Sequence, residues 1–148
     1  NPNIFNYEDA LLSILIKRLR EGKFKEIFGD FDDILVKSPT GSRKELDLLL
    51  LKYDEYNDIV RFQIIEAKRG CFELDDALQL QGYHDWYVSE VENGNNRNVY
   101  PIALAACFGN EVVEYVKNLK KYNLKPPRLI EYKYKKGKLT LNEKIVNE

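Results

Sequence analysis

Two cysteines, Cys71 and Cys107, are all that the 148 residues contain. That is too few for a disulfide scaffold, a zinc site of Cys ligands or an iron–sulfur cluster. The expectation for both is a small buried hydrophobe in a reducing cytoplasm. Histidine is scarcer still: His84 is the only one, and near an apolar helix stripe it reads as a structural imidazole rather than an acid–base group. Charge of one sign is also missing, because 23 basic residues offset 24 acidic ones and leave −1. Bulk charge therefore does not mark a nucleic-acid binder. No apolar run approaches the roughly 20 residues that cross a bilayer, so no membrane partner is expected and the localisation read from the sequence is cytoplasmic. Pro/Gly/Ser linkers, internal repeats and low-complexity tracts are lacking too. With 44% hydrophobic and 32% charged residues, the chain reads as one globular domain over residues 1–148. It begins with Asn, so an upstream segment or a longer parent chain stays open.

The first element expected is a helix from Tyr7 to Arg20, capped by Asn6 and stopped by Gly22. Leu11, Leu12, Leu15 and Leu19 make one face at helical spacing, and Glu8 falls in the middle of that same face. An unpaired carboxylate among leucines is expensive, so Glu8 is expected to point inward and to have a partner there, the alternative being a first-turn residue that swings outward and only meets the helix dipole. A short strand is expected at Asp33–Lys37 and, after the Ser38-Pro39-Thr40-Gly41 turn, two stronger ones at Glu45–Lys52 and Ile59–Arg69, which form a hairpin. A helix over Asp75–Val91 leads to Val99–Cys107, a nearly unbroken apolar run suited to a strand buried on both faces. A helix over Glu111–Lys121 and a second hairpin, Leu129–Tyr134 with Lys138–Leu141 around Lys136-Gly137, close the chain. A strand pair followed by a crossover helix and a buried strand implies a mixed sheet, antiparallel at the hairpin and parallel across the helix.

The first hairpin carries the chemistry. Its loop is centred between Tyr56 and Asn57, so a symmetric register pairs positions summing to 113 and sets Asp47 opposite Glu66, Cα atoms about 4.5–5.5 Å apart. Glu66 and Lys68 share a face by strand alternation, and Asp47 shares it across the pair. Two adjacent carboxylates repel unless a cation or a proton lies between them. Oxygen ligands without His or Cys suit Mg²⁺ or Mn²⁺ held with phosphate and water. Lys68 can orient an attacking water or offset charge on a phosphate. The same three residues also admit a plain salt bridge at a sheet edge, and spacing alone does not choose.

Gly41…Glu45-Leu46-Asp47-Leu48-Leu49 followed by Ile64-Ile65-Glu66-Ala67-Lys68 resembles the PD-(D/E)XK nuclease superfamily, the restriction-endonuclease-like fold. Gln79-Leu80-Gln81-Gly82-Tyr83 resembles the Q-x-x-x-Y motif of its RecB- and NucS-like branches. The literal Pro-Asp is absent, since Leu46 precedes Asp47, as in many members. The resemblance covers about residues 7–108 and implies an α/β fold of order αβββαβ, a mixed sheet flanked by helices. The basic helix and hairpin of about residues 109–148 are then an addition. It further implies a divalent-metal-dependent nuclease that hydrolyses phosphodiester bonds in DNA. Asp47, Glu66 and the Ala67 carbonyl would hold Mg²⁺ (or Mn²⁺), Lys68 would position water, and Glu8 would bind the metal or orient a water. Gln79 and Tyr83 would contact a DNA phosphate or a displaced base, although Tyr83 and Trp86 equally complete a broad apolar face beside a core stripe of Leu74, Ala77, Leu78, Val88 and Val91.

Charge is unevenly spread. Ten basic residues against two acidic between Lys117 and Lys144 give that segment +8 and leave −9 elsewhere, a basic lobe beside an acidic body, as phosphate capture beside cation capture requires. A solvated lysine-rich surface gives the same pattern. Arg43, Lys44 and Arg69 flank the carboxylates and are better placed for phosphate contact. Two other classes remain open: a nucleic-acid-binding or assembly module that kept the fold without turnover, and a homodimeric Holliday-junction resolvase. A helicase or other partner domain would lie outside these residues.

Overall fold

The computed structural model of the protein describes residues 3–40, 45–92 and 95–147. Six strands form one sheet in the order of the sequence: β1 (Asp33–Pro39), β2 (Glu45–Tyr53), β3 (Ile59–Phe72), β4 (Val99–Phe108), β5 (Arg128–Lys135) and β6 (Lys138–Lys144). β1 pairs with β2, and β2 with β3, antiparallel. β4 and β5 lie parallel to β3, and β6 returns antiparallel. Parallel neighbours need a crossover, here supplied by α3 (Leu74–Trp86) and α4 (Asn110–Lys121). The terminal hairpin continues the same sheet.

Two apolar layers hold the helices. Leu48, Leu50, Ile65, Ile102, Leu104 and Ile130 pack under α1 (Glu8–Arg20) and α2 (Lys25–Phe28). Leu49, Leu51, Ile64, Ala103 and Leu129 pack under α3 and α4, through Ala77, Leu80, Tyr83, Val112 and Val116. Strands buried on both faces cannot alternate apolar with polar, which accounts for the continuous runs in β2, β3 and β4. The expected register holds from Lys52 inward, where Leu48 pairs with Ile65 and Lys52 with Arg61, both summing to 113, while a bulge beside the loop shifts Tyr53 onto Ile59.

α1 stops where Gly22 takes φ +82° and Lys23 N–H donates to Arg18 O, the bond that closes a helix end in a Schellman motif. Its N-cap is Tyr7 rather than Asn6. α2 is only four residues long, too short for a periodic signal, and is fixed by the buried Gln63 side chain, whose Nε2 donates to Phe28 O. The expected helix over Asp75–Val91 is two pieces, an α-helix to Trp86 and a π-turn over Tyr87–Val91.

The core stripe of α3 differs from the expected one. Ala77, Leu80, Tyr83, His84 and Tyr87 are buried, whereas Leu78 and Val91 face solvent. The helix is rotated so that Tyr83 joins the core and Trp86 packs against it. The cysteines also depart from expectation: Cys71 and Cys107 are bridged, on paired positions at the ends of β3 and β4 with Cα atoms 4.4 Å apart. They are partners because the crossover brings residues 36 apart in sequence side by side, a proximity that spacing does not announce.

Candidate active site

The last register positions of β2 and β3 before Asp47 and Glu66 are Leu48 and Ile65, and beyond them side chains take over from the ladder. Asp47 N–H donates to Glu66 Oε1 at 2.9 Å, and Ala67 N–H donates to Asp47 Oδ2 at 2.9 Å. Each carboxylate thus grips the other strand's backbone, which fixes both without a cation. β2 also turns over here: Leu46 lies in the α3-side core and Leu48, two residues on, in the α1-side core. Strict alternation would put both on one face. Opposite the break, Lys37 of β1 adopts φ +56° and brings Nζ to 3.5 Å from Asp47 Oδ1 and 3.8 Å from Asp9 Oδ1.

Burial, together with the Asp47 carboxylate beside it, pushes the Glu66 carboxyl up to about 8. At neutral pH the metal-free site therefore holds a proton where a divalent cation would relieve the same repulsion. Lys68 projects from the same strand two residues on, and its Nζ meets Asp76 Oδ1 at 3.1 Å. That bond, with further carboxylates around it including Glu8, raises Lys68 above the usual lysine value and keeps it an ammonium.

Asp76 escaped the sequence reading. It is the third residue of α3, and its Oδ2 accepts from Glu73 N–H at 2.8 Å in a reciprocal capping box. One carboxylate thus starts the helix and orients Lys68. Glu73 and Asp76, three apart before an apolar helix, were the available signal. Lys37 had none, because its placement depends on the irregular strand.

Glu8 does not point inward. It is exposed at the first position of α1, and Phe5, 6% exposed, fills the end of the leucine stripe instead. Its charge still reaches Lys68 and Tyr132. The Gln79 side chain donates from Nε2 to Tyr83 OH at 2.7 Å, and that hydroxyl donates to Glu45 O at 3.3 Å. Glu66 and Asp47 both help to raise the Tyr83 phenol, after burial, so the pair sits beside the carboxylates, bracing the start of β2. The Tyr83 ring is only 3% exposed and presents no face for a base. Arg69 is exposed, with its carbonyl accepting from Tyr132 OH. His84 is buried, with Nδ1 at 3.1 Å from Asp85 Oδ1. Arg43 and Lys44 lie outside the described residues.

The donor set fits a hard cation: two carboxylates on facing strands with the Ala67 main chain between them. Among the described residues no three His, Cys, Asp or Glu side chains gather into a complete cage. Mg²⁺ is commonly held by one or two carboxylates with water and phosphate completing its shell, so an incomplete protein cage is compatible with it.

No family model matches the chain, and no curated protein matches it by sequence. Among solved structures it is similar to a repair endonuclease from Pyrococcus abyssi, with a TM-score of 0.54 and 20% identity over 83% of this chain and 47% of that one. It is also similar to the protein of the EndoMS-dsDNA2 complex, with a TM-score of 0.51 and 19% identity over 78% of this chain and 43% of the other. The chain spans less than half the length of either. Likeness at this identity is likeness of fold: the mixed sheet and its helices form an α/β nuclease-like core.

Proposed function

We propose that the chain is a divalent-metal-dependent nuclease of the PD-(D/E)XK type, hydrolysing phosphodiester bonds in DNA. The observation that carries this reading is the Asp47–Glu66 pair, two carboxylates locked to each other's strands, with Glu66 driven up to about 8 by burial and by the Asp47 charge beside it. Supporting it are the two structural neighbours, named as a repair endonuclease and as an EndoMS–dsDNA2 complex.

On this reading Asp47, Glu66 and the Ala67 carbonyl hold Mg²⁺ or Mn²⁺. Once bound, the ion neutralises charge on the phosphate and makes water a better nucleophile. Lys68 donates to the water or to a phosphate oxygen, its ammonium held in place by Asp76. Glu8 sits at solvent depth near Lys68 and helps to order water there. Gln79 and Tyr83 keep the β2 strand, and with it Asp47, in position, and the Gln79 amide and Arg69 are the groups offered to a phosphate.

The test is incubation with labelled linear duplex, single-stranded, flap and four-way DNA in Mg²⁺, Mn²⁺ or EDTA. Cleavage of at least one substrate in metal, abolished by EDTA, is expected. Binding without cleavage in every metal would replace the nuclease with a binding module. Cleavage confined to four-way junctions by a dimer would make it a resolvase.

A further inference from the structure

The β5–β6 hairpin carries the densest unpaired positive charge in the described structure, and its position follows from the register. Lys68 pairs with Ala105 across β3 and β4, and Ala105 pairs with Glu131 across β4 and β5. Paired residues of parallel strands face the same way. Leu129 lies in the α3-side core and Ile130 in the α1-side core, so Glu131, Lys133 and Lys135 point to the side that carries Glu66 and Lys68. Two strand spacings separate β3 from β5, and the lysines lie two and four residues further toward the strand's carboxyl end. At about 4.8 Å per strand and 3.3 Å per residue, Lys133 and Lys135 lie roughly 12 and 16 Å from Lys68, Cα to Cα.

Lys138 joins them from β6, directly across from Lys135. Lys133, Lys135 and Lys138 line one surface depression of about 520 Å³ with Lys136 and Thr140. All four lysines are exposed, and among the described residues none has a carboxylate within ion-pair distance. The nearest acid on that face, Glu131, is matched by Lys144 at 3.9 Å. The platform is rigid. Lys136 and Gly137 both take positive φ, +51° and +79°, as a two-residue type I′ turn requires. The hairpin's opposite face is anchored by Phe5 stacked on Tyr134 at 4.1 Å and by Arg18 Nη2 donating to Gly137 O.

We infer that this lysine face is a phosphate-backbone track, engaging the nucleic acid about three to five nucleotides from the bond held at Asp47 and Glu66. Lys133 and Lys135 are about 6.6 Å apart along the strand, close to two steps of the 3.4 Å axial rise of a DNA strand. The offsets of roughly 12 and 16 Å from Lys68 correspond to about 3.5 and 5 such steps. A substrate must therefore extend at least that far on one side of the cleaved bond. The contact is to phosphate and carries no sequence preference. The inference rests on the nuclease reading of the carboxylate site.

The experiment measures binding of a fluorescein-labelled 20-base-pair duplex in EDTA, from 50 to 200 mM salt, by anisotropy. The variants are Lys133→Glu/Lys135→Glu/Lys138→Glu, its Gln counterpart to separate lost contact from added repulsion, and Lys117→Glu/Lys121→Glu on α4 as control. Losing three phosphate contacts should flatten the log–log salt slope by about 2.7, which is about fortyfold less affinity lost over that fourfold range. The control should keep the wild-type slope. Equal slopes in wild type and both hairpin variants, each folded by circular dichroism, would overturn the inference. Wild-type cleavage with unchanged KM in the triple variant would also overturn it while leaving the nuclease intact. A flattened slope in a protein that cuts nothing would keep the track and remove the nuclease.

Discussion

Replacing Glu66 with Gln should stabilise the metal-free protein, and only above about pH 5. The Glu66 carboxyl is raised from 4.5 to about 8 in the fold, by burial first and by Asp47 second. A group whose folded pKa is raised favours the fold fully below its unfolded value and loses that contribution as pH climbs to the folded one. Between pH 4.5 and 8 the unfolded chain ionises Glu66 while the folded chain keeps it protonated. The loss approaches 1.36 kcal/mol per pH unit and levels off near pH 8. The full 3.5 units would reach about 4.8 kcal/mol. Part of the side chain remains solvated, and halving for that leaves about 2–3 kcal/mol, or roughly 5–10 °C in Tm for a chain this long. Gln keeps the acceptor for Asp47 N–H and presents its amide where the neutral acid presents a proton. Melting curves in EDTA from pH 5 to 9 should therefore coincide for wild type and Glu66→Gln at pH 5 and diverge to a plateau by pH 8.5, with the variant higher. Parallel curves, or a variant less stable at pH 8.5, would refute the placement of a buried carboxyl beside Asp47.

Asp76→Asn keeps an oxygen for the helix cap and removes the charge that holds Lys68. It should slow cleavage about tenfold or more in kcat while changing stability by under about 1 kcal/mol, as expected for a half-exposed ion pair. A KM effect with kcat intact would deny the positioning role. The Cys71–Cys107 bridge closes a 36-residue span containing α3, a loop worth about 3–4 kcal/mol by chain entropy. Dithiothreitol should lower Tm by several degrees, as should Cys71→Ser; an unchanged Tm in both would mean that the bridge does not form in solution. At pH 7, Mn²⁺ binding to wild type should release close to one proton, since Glu66 must ionise to ligate. Calorimetry in buffers of different ionisation enthalpy reads that number, and zero would contradict the pairing.

The parts of this fold that were legible rest on patterns with a single physical meaning. The short polar loop between β2 and β3 marked a hairpin whose register, apart from a bulge at Lys52/Tyr53, brings Asp47 to Glu66. The nearly unbroken run from Val99, nine residues long and following a helix, suited a strand covered on both sides. What stayed hidden depended on departures from regularity or on distance along the chain. The turnover of β2 at Asp47 breaks the alternation that the sequence pattern assumes, and Lys37 reaches the site only because of it. α2 is shorter than one helical period, and its bond to Gln63 joins residues 35 apart. Helical angle alone sets Glu8 among the leucines of α1, but Phe5 enters from outside the helix and fills that end of the stripe. The cysteine bridge is a product of the crossover, visible only once β3 and β4 are neighbours.

The central claim is that Asp47 and Glu66 hold the metal that drives cleavage while Lys68 acts on the reacting groups without holding it. Mn²⁺ binding by calorimetry and cleavage of a labelled duplex, measured on the same preparations of wild type, Asp47→Ala and Lys68→Ala, separate these roles. The account predicts that wild type binds Mn²⁺ and cuts, that Asp47→Ala folds but does neither, and that Lys68→Ala binds Mn²⁺ with near wild-type affinity and does not cut. A folded Asp47→Ala that cuts at the wild-type rate would contradict it.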